Sequence, residues 1–247
     1  MQSVLKDLKN FKLSGMVSSL ETRLIYANAN KLTYQELLEL LCEDERNTRE
    51  NNGYQRRLRL AKLPSQKRLE DFNLSFQGSI NKMQVNNIAT CQFIEAKENV
   101  ILIGDSGTGK THLSIAFALK ALAKDYNVYF TTVSDMLYDL HISKADNSYP
   151  KVLKRLINYD LLILDELGFK KLPSYSSDDF FNIISKRYES KSTIITTNKK
   201  IDEWNDIFDE EVLTKAIVDR LMHHAVIFNI QGRSYRMKNF KLEEKMP

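Results

Sequence analysis

Beyond residue 70 the chain alternates short apolar runs with stretches whose apolar positions recur every three or four residues. That alternation predicts βαβ units around a parallel sheet. Strands are expected at 100–103, 128–132, 161–165, 192–197 and 226–230, with helices between them at 111–124, 134–141, 151–158, 177–189 and 211–224. The polar stretch 143–149 is the expected internal loop. Ahead of residue 70 only helical spacing is visible. Leu5, Leu8, Leu13, Met16, Val17, Leu20 and Leu24 fit one amphipathic helix over 4–24. Thr33 and Glu36 have capping-box spacing and open a second helix through Leu37, Leu38, Leu41 and Cys42, which Gly53 can interrupt and Pro64 should end. The expected organisation is a helical domain, 1–68, followed by an α/β domain, 69–247, with five parallel strands flanked by helices.

Composition changes this little. At 247 residues, 43% hydrophobic and 28% charged, the chain is an ordinary globular one. Its start carries charges where a secretory signal needs an apolar stretch, and no run reaches the roughly eighteen apolar residues of a membrane span. A cytoplasmic protein without a membrane partner is expected. Cys42 and Cys91 lack zinc-site or redox spacing and are expected as reduced thiols filling packing space.

Charge says more. Residues 1–70 hold thirteen Lys and Arg against nine Asp and Glu, whereas the remainder is balanced at twenty-three of each. Within 46–68, eight bases face the single acid Glu50. Such a stripe suits a nucleic-acid backbone, and equally a solvated helix face.

The chemistry centres on residues 104–111, Gly-Asp-Ser-Gly-Thr-Gly-Lys-Thr, placed between an expected strand and an expected helix. Gly104, Gly107 and Gly109 let the backbone wrap closely around phosphates. The amides of Asp105, Ser106 and Thr108 and the helix N-terminus then point at negative charge. Lys110 supplies a cation for the β- and γ-phosphates, and the Thr111 hydroxyl is a magnesium ligand. About fifty residues on, Leu-Leu-Ile-Leu ends in Asp165 and Glu166. Asp165 would position magnesium and Glu166 would act as general base on the attacking water. ATP and magnesium are thus the expected substrate and cofactor. Asn198, after the next strand, is suited to holding that water, or is a turn residue. Arg220 and Arg236 could each meet the γ-phosphate, in their own subunit or across an interface. The bland alternatives are an ion pair of Arg220 with Asp219 or Asp209 and a surface hairpin contact for Arg236. No histidine metal site is expected, because His223 and His224 are adjacent and should point to different helix faces, while His112 and His141 stand alone.

Together, Gly-Asp-Ser-Gly-Thr-Gly-Lys-Thr-His-Leu, Tyr-Asp-Leu-Leu-Ile-Leu-Asp-Glu-Leu-Gly-Phe, Ser-Thr-Ile-Ile-Thr-Thr-Asn, Asp-Arg-Leu-Met-His-His-Ala and Gly-Arg-Ser-Tyr-Arg resemble the IstB-like AAA+ helper ATPases of bacterial insertion sequences. Helicase loaders of the DnaC/DnaI type are their relatives. The N-terminal Leu-Ser-Gly-Met and Arg-Arg-Leu-Arg-Leu-Ala-Lys-Leu-Pro segments extend the likeness over almost the whole chain. The resemblance implies an AAA+ P-loop NTPase that assembles as a homo-oligomer on duplex DNA and presents it to a partner transposase. It further implies Asp165 and Glu166 as the Walker B pair, Asn198 as first sensor and Arg220 as the arginine completing a neighbour's site. Only seventeen residues follow the fifth strand, so little or no C-terminal helical lid is expected. A helicase loader, or a nucleotide-gated binding module with negligible turnover, are the alternatives.

Overall fold

The structure, a computed structural model, describes residues 2–237 apart from 75, 77, 171, 174, 175 and 209. Two compact units divide the chain, Met1–Arg57 and Leu58–Pro247. The first is built from α1 (Gln2–Asn10), α2 (Ser14–Asn30) and α3 (Tyr34–Leu60), whose last turn runs into the second unit. The single helix expected over 4–24 is therefore two, broken at Lys12, which takes a left-handed φ of 59°. The break gives α2 its own N-terminus, and Leu13 offers it no side-chain cap. Glu45 on α3 supplies one instead, accepting the Gly15 and Met16 amides at 2.7 and 3.3 Å. Its other oxygen takes the Arg49 Nε–H at 2.6 Å.

That cap requires α2 and α3 to approach closely at Gly15. A Cβ there would stand 2.6 Å from both the Asp44 carbonyl oxygen and the Glu45 Cα. Next to this crossing Arg23 grips Asp44 with two hydrogen bonds of 2.8 and 2.7 Å, holding the carboxyl down to about 2. The capping box forms as expected, with Thr33 donating its amide to Glu36 at 2.6 Å and Glu36 its own to Thr33 Oγ1 at 3.3 Å. Gly53 does not interrupt α3, since one glycine costs about 1 kcal/mol and the helix has 27 residues. Cys91 is buried, but Cys42 is exposed, so only one of the two thiols fills packing space.

The second unit contains α4 (Lys82–Ala89), α5 (Gln92–Glu95), β1 (Asn99–Gly104), α6 (Lys110–Ala123), β2 (Val128–Thr132), α7 (Val133–Ala145) and α8 (Tyr149–Asn158). It continues with β3 (Leu161–Leu167), α9 (Ser177–Arg187), β4 (Ser192–Thr197), α10 (Glu211–Met222) and β5 (Ala225–Ile230). All strand pairs are parallel, in the order β2-β3-β4-β1-β5. Ile101, Leu162, Leu164 and Ile195 carry the sheet into a core with Leu140, Phe180, Trp204 and Ile217.

This unit begins before the expected boundary at 68/69 because the intervening segment is tied to it. The Ala61 carbonyl accepts the Phe130 amide at 2.9 Å, and Glu70 pairs with Lys120 at 2.7 Å. The loop expected over 143–149 is found there but shortened to 146–148, since the polar groups at its ends are used internally. The buried Ser143 hydroxyl donates to the Leu140 carbonyl at 2.7 Å, while Lys144 and Tyr149 both reach the buried Asp179, at 2.7 and 2.8 Å. Arg187, 1% exposed, satisfies its guanidinium on the carbonyls of Leu156, Ile157, Tyr159 and Ser192, tying the end of α8 to the start of β4. Among the described residues no helix is long and apolar enough to cross a membrane.

Gly15→Ala is expected to force α2 from α3 and to destabilise the first unit by about 1–3 kcal/mol, read as an earlier loss of helical signal in urea. Unchanged unfolding would refute the close-approach role. Asp44 has a depressed folded pKa, so its contribution is complete above its unfolded value of about 4 and is lost as pH falls towards about 2. Acid titration of Asp44→Asn should lack that component.

Candidate nucleotide site

β4 pairs with β1 on one side and β3 on the other, all parallel, so the carboxyl ends of the three strands share one edge. Ligands of open α/β sheets bind at such an edge. β1 ends at Gly104 and α6 starts at Lys110, making residues 104–109 the connection. Gly107 and Gly109 adopt φ of 82° and 99°, conformations open to glycine. Both also lack room for a side chain. A Cβ on Gly109 would lie 2.5 Å from the Phe72 ring, and one on Gly107 would collide with Ser234. Thr108 is buried and braces the loop by donating its hydroxyl to the Asp105 carbonyl at 2.8 Å. Lys110 Nζ donates to the carbonyls of Gly104 and Asp105 at 2.6 and 2.8 Å. Burial pushes its pKa down, against the pull of Asp165 and Asp105. A polyphosphate here would add negative charge where the ammonium is short of it.

Across the cleft, β3 does not end as a regular strand. Leu164 pairs with Ile195 and Leu167 with Thr197, so Asp165 and Glu166 together oppose Thr196 alone. This is a β-bulge, with Glu166 in the left-handed region at φ 65°. Asp165 is 4% exposed whereas Glu166 is exposed and lines the cleft. The Thr111 hydroxyl donates to the Asp165 carboxylate, 3.0 and 3.1 Å from its two oxygens. The Thr196 hydroxyl donates to Asp165 Oδ1 and accepts the Glu166 amide at 3.0 Å. Asn198, past the end of β4, is exposed and lines the cleft beside Glu166.

The opposite wall comes from segments far apart in sequence. Lys67, Phe72 and Asn73 precede β1, and Tyr235 and Arg236 follow β5. The Tyr235 amide donates to the Gly107 carbonyl at 3.0 Å, and its ring meets Phe76 edge-on with centroids 5.1 Å apart. Ser79 and Gln231 exchange two hydrogen bonds of 2.8 and 2.9 Å, holding the same arm. Among the described residues a single 3-10 turn, Tyr235–Met237, follows β5.

The cleft is thus lined by Ser106 to Thr111, Glu166, Asn198 and Arg236, with Asp165 buried behind Thr111 and Gly104 and Asp105 holding Lys110 through their carbonyls. It does not gather Arg220. That residue lies on α10, donates to its own helix at the Ala216 carbonyl (2.9 Å) and stacks its guanidinium over Phe181 at 5.0 Å. Asp209, one of its expected partners, lies outside the described residues. The geometry expected of His223 and His224 needs correction. α10 ends at Met222, so His223 and His224 are not on opposed helix faces, and their rings lie 4.0 Å apart beside Glu189 at 3.8 and 3.7 Å. The Tyr188 hydroxyl bonds His223 Nδ1 at 2.6 Å. Phe72 and Asn73 escaped sequence reading because neither lies in a motif. Thr196 and Tyr235 stand inside the Ser-Thr-Ile-Ile-Thr-Thr-Asn and Gly-Arg-Ser-Tyr-Arg segments, but only Asn198 and Arg236 of those were read as site residues.

Residues 6–243 match the family of IstB-like ATP binding proteins. The chain is 37% identical to the insertion sequence IS21 ATP-binding protein of Pseudomonas aeruginosa over 231 residues, 94% of this chain and 87% of that one. It is 36% identical to the IS5376 ATP-binding protein of Geobacillus stearothermophilus over 220 residues, 89% of this chain and 88% of that one. In fold it resembles the DnaC helicase loader, with a TM-score of 0.57 at 22% identity, covering 67% of this chain and 97% of the loader. DnaI gives a TM-score of 0.56 at 23% identity, covering 66% and 90%. The sheet and phosphate loop are those of an AAA+ P-loop protein, and the chain belongs to the IstB-like ATP-binding protein family.

Proposed function

We propose that the chain is an ATPase that assembles as an oligomer on duplex DNA and stimulates a partner transposase in insertion-sequence transposition. The observation that carries the hydrolytic part is the divided carboxylate pair facing the phosphate loop. Lys110 and the loop amides hold the phosphates. Thr111 and Asp165 suit magnesium, because hard oxygen donors are what that ion prefers and the Thr111 hydrogen bond to Asp165 leaves its oxygen lone pairs available. The bound ion would neutralise phosphate charge. Glu166 takes a proton from the water that attacks the γ-phosphorus, Asn198 orients that water, and ADP and phosphate leave. Arg236 faces the same cleft and Arg220 serves the site of a neighbouring subunit.

The DNA part rests on charge placement and on the relatives, which are named for insertion sequences. At 100° per residue, Arg46, Arg49, Arg56 and Arg57 of α3 fall within an arc of about 100°, and Lys62, Lys67 and Arg68 continue the positive run. Such a helix face neutralises backbone phosphates whatever the base sequence. Likeness in fold to DnaC and DnaI supports a second reading, a helicase loader. Preference for single-stranded over duplex DNA would favour it. Failure to form ATP-dependent oligomers on duplex DNA in electron micrographs would remove the first.

Glu166→Gln should reduce ATP turnover by about 10²–10⁴-fold while ATP-dependent assembly on duplex DNA persists. Loss of nucleotide binding in this variant would contradict the role of Glu166. Lys110→Ala should abolish binding of a fluorescent ATP analogue. Arg220→Ala alone should assemble without hydrolysing. Mixed with Lys110→Ala it should regain part of the turnover, because an intact phosphate loop then meets an intact arginine from next door. No recovery in mixtures would place Arg220 outside the shared site.

A further inference from the structure

We infer that Thr196 is a positioning residue of this site: its hydroxyl holds the bulge that divides the two carboxylates between two tasks. The inference rests on the proposed ATPase reading and adds a residue that makes no contact with nucleotide in it. Three observations meet at one oxygen. Thr196 is the lone β4 residue opposite both Asp165 and Glu166. Its hydroxyl bonds to each of them, to the Asp165 carboxylate and to the Glu166 amide. The direction of these bonds follows from chemistry, since an amide can only donate and an ionised carboxylate can only accept. The one hydroxyl proton therefore goes to Asp165, and a lone pair takes the Glu166 N–H.

Each bond has a separate consequence. The first fixes a buried carboxylate from the β4 side while Thr111 holds it from α6. The second satisfies an amide that the bulge has removed from the strand ladder, at a residue whose φ of 65° is unfavourable for a side chain with a Cβ. Without that acceptor the residue loses its reason to stay left-handed. Glu166 would then drift from the geometry in which it faces the phosphate loop. Serine retains the hydroxyl. Valine keeps the shape and loses both bonds.

The test compares Thr196→Val and Thr196→Ser with the parent chain, reading steady-state ATP turnover, the magnesium dependence of fluorescent non-hydrolysable ATP analogue binding, and thermal unfolding. Thr196→Val should lower kcat by about 10–100-fold and raise the magnesium needed for half-maximal analogue binding by a similar order, with KM for ATP changed far less than kcat. Thr196→Ser should restore both readouts to within about threefold of the parent, as expected if the hydroxyl and not the methyl matters. Thr196→Ala is the substitute should valine prevent folding. A valine variant that folds and matches the parent in kcat and magnesium dependence overturns the inference. So does a serine variant as impaired as valine. A parent chain without turnover would sink the ATPase reading instead, and the magnesium shift, which needs no hydrolysis, would still decide the role of Thr196.

Discussion

Consecutive residues in a regular strand face opposite sides of the sheet. A strand ending in two adjacent carboxylates can therefore offer only one of them to a cleft at its end. In this protein the constraint is lifted by one extra residue. The bulge at Asp165 and Glu166 lets the first carboxylate stay buried against Thr111 and turns the second outward into the cleft. The left-handed backbone at Glu166 costs about 1–2 kcal/mol, and a hydrogen bond to its amide returns about 1 kcal/mol. The remainder falls to the packing of β3, whose Leu162, Leu164 and Leu167 are wholly buried on either side of the irregularity. The placement of β4 matters just as much. Because it lies between β1 and β3, the phosphate loop and the acidic bulge flank a single strand end, and Thr196 can reach across to the bulge.

How much of this was legible in the sequence depends on whether a local rule governed it. The five strands came through nearly to the residue, since each is a short apolar run bounded by polar or glycine positions, and burial demands no more than that. The phosphate loop was equally plain, because its glycines answer to φ and clearance at Gly107 and Gly109. The bulge was invisible. Leu161 to Leu167 reads as one apolar strand with two acids, and nothing in the letters says that two residues will oppose one. Where tertiary partners overrode local character, expectation was only partly met. The loop read over 143–149 narrowed to 146–148 because Asp179 and Leu140 absorb the polar groups at its ends, and α1 and α2 separated because Glu45, thirty residues on, caps the second.

The cleft walls illustrate the same limit. Phe72 and Tyr235 are separated by most of the α/β unit, yet both close on the phosphate loop, one against Gly109 and the other through the Gly107 carbonyl. A parallel sheet with β1 and β5 adjacent makes this possible. The segment entering β1 and the segment leaving β5 flank the same connection, because the two strands run side by side in register from Asn99 and Ala225 to Gly104 and Ile230. A side chain on Gly107 or Gly109 would thus disturb phosphate approach and the docking of these walls together.

The two arginines divide along similar lines. Arg236 reaches the cleft through an arm tied down at Gly107 and Ser79. Arg220 is not part of the cleft lining; its guanidinium stacks on Phe181 and bonds to Ala216 on its own helix. In the proposed reading those contacts also prepare it for a neighbouring subunit. A long, free arginine would lose rotamer entropy on meeting a second subunit, about 2 kcal/mol if fully mobile, and one held along α9 loses less. Transition-state charge in phosphoryl transfer is spread over three equatorial oxygens and is best met by cations fixed beforehand. In the proposed reading the phosphate loop lines one cleft with Lys110 and Arg236, Arg220 stands outside it on α10, and assembly is what would bring that arginine to a neighbour's phosphate.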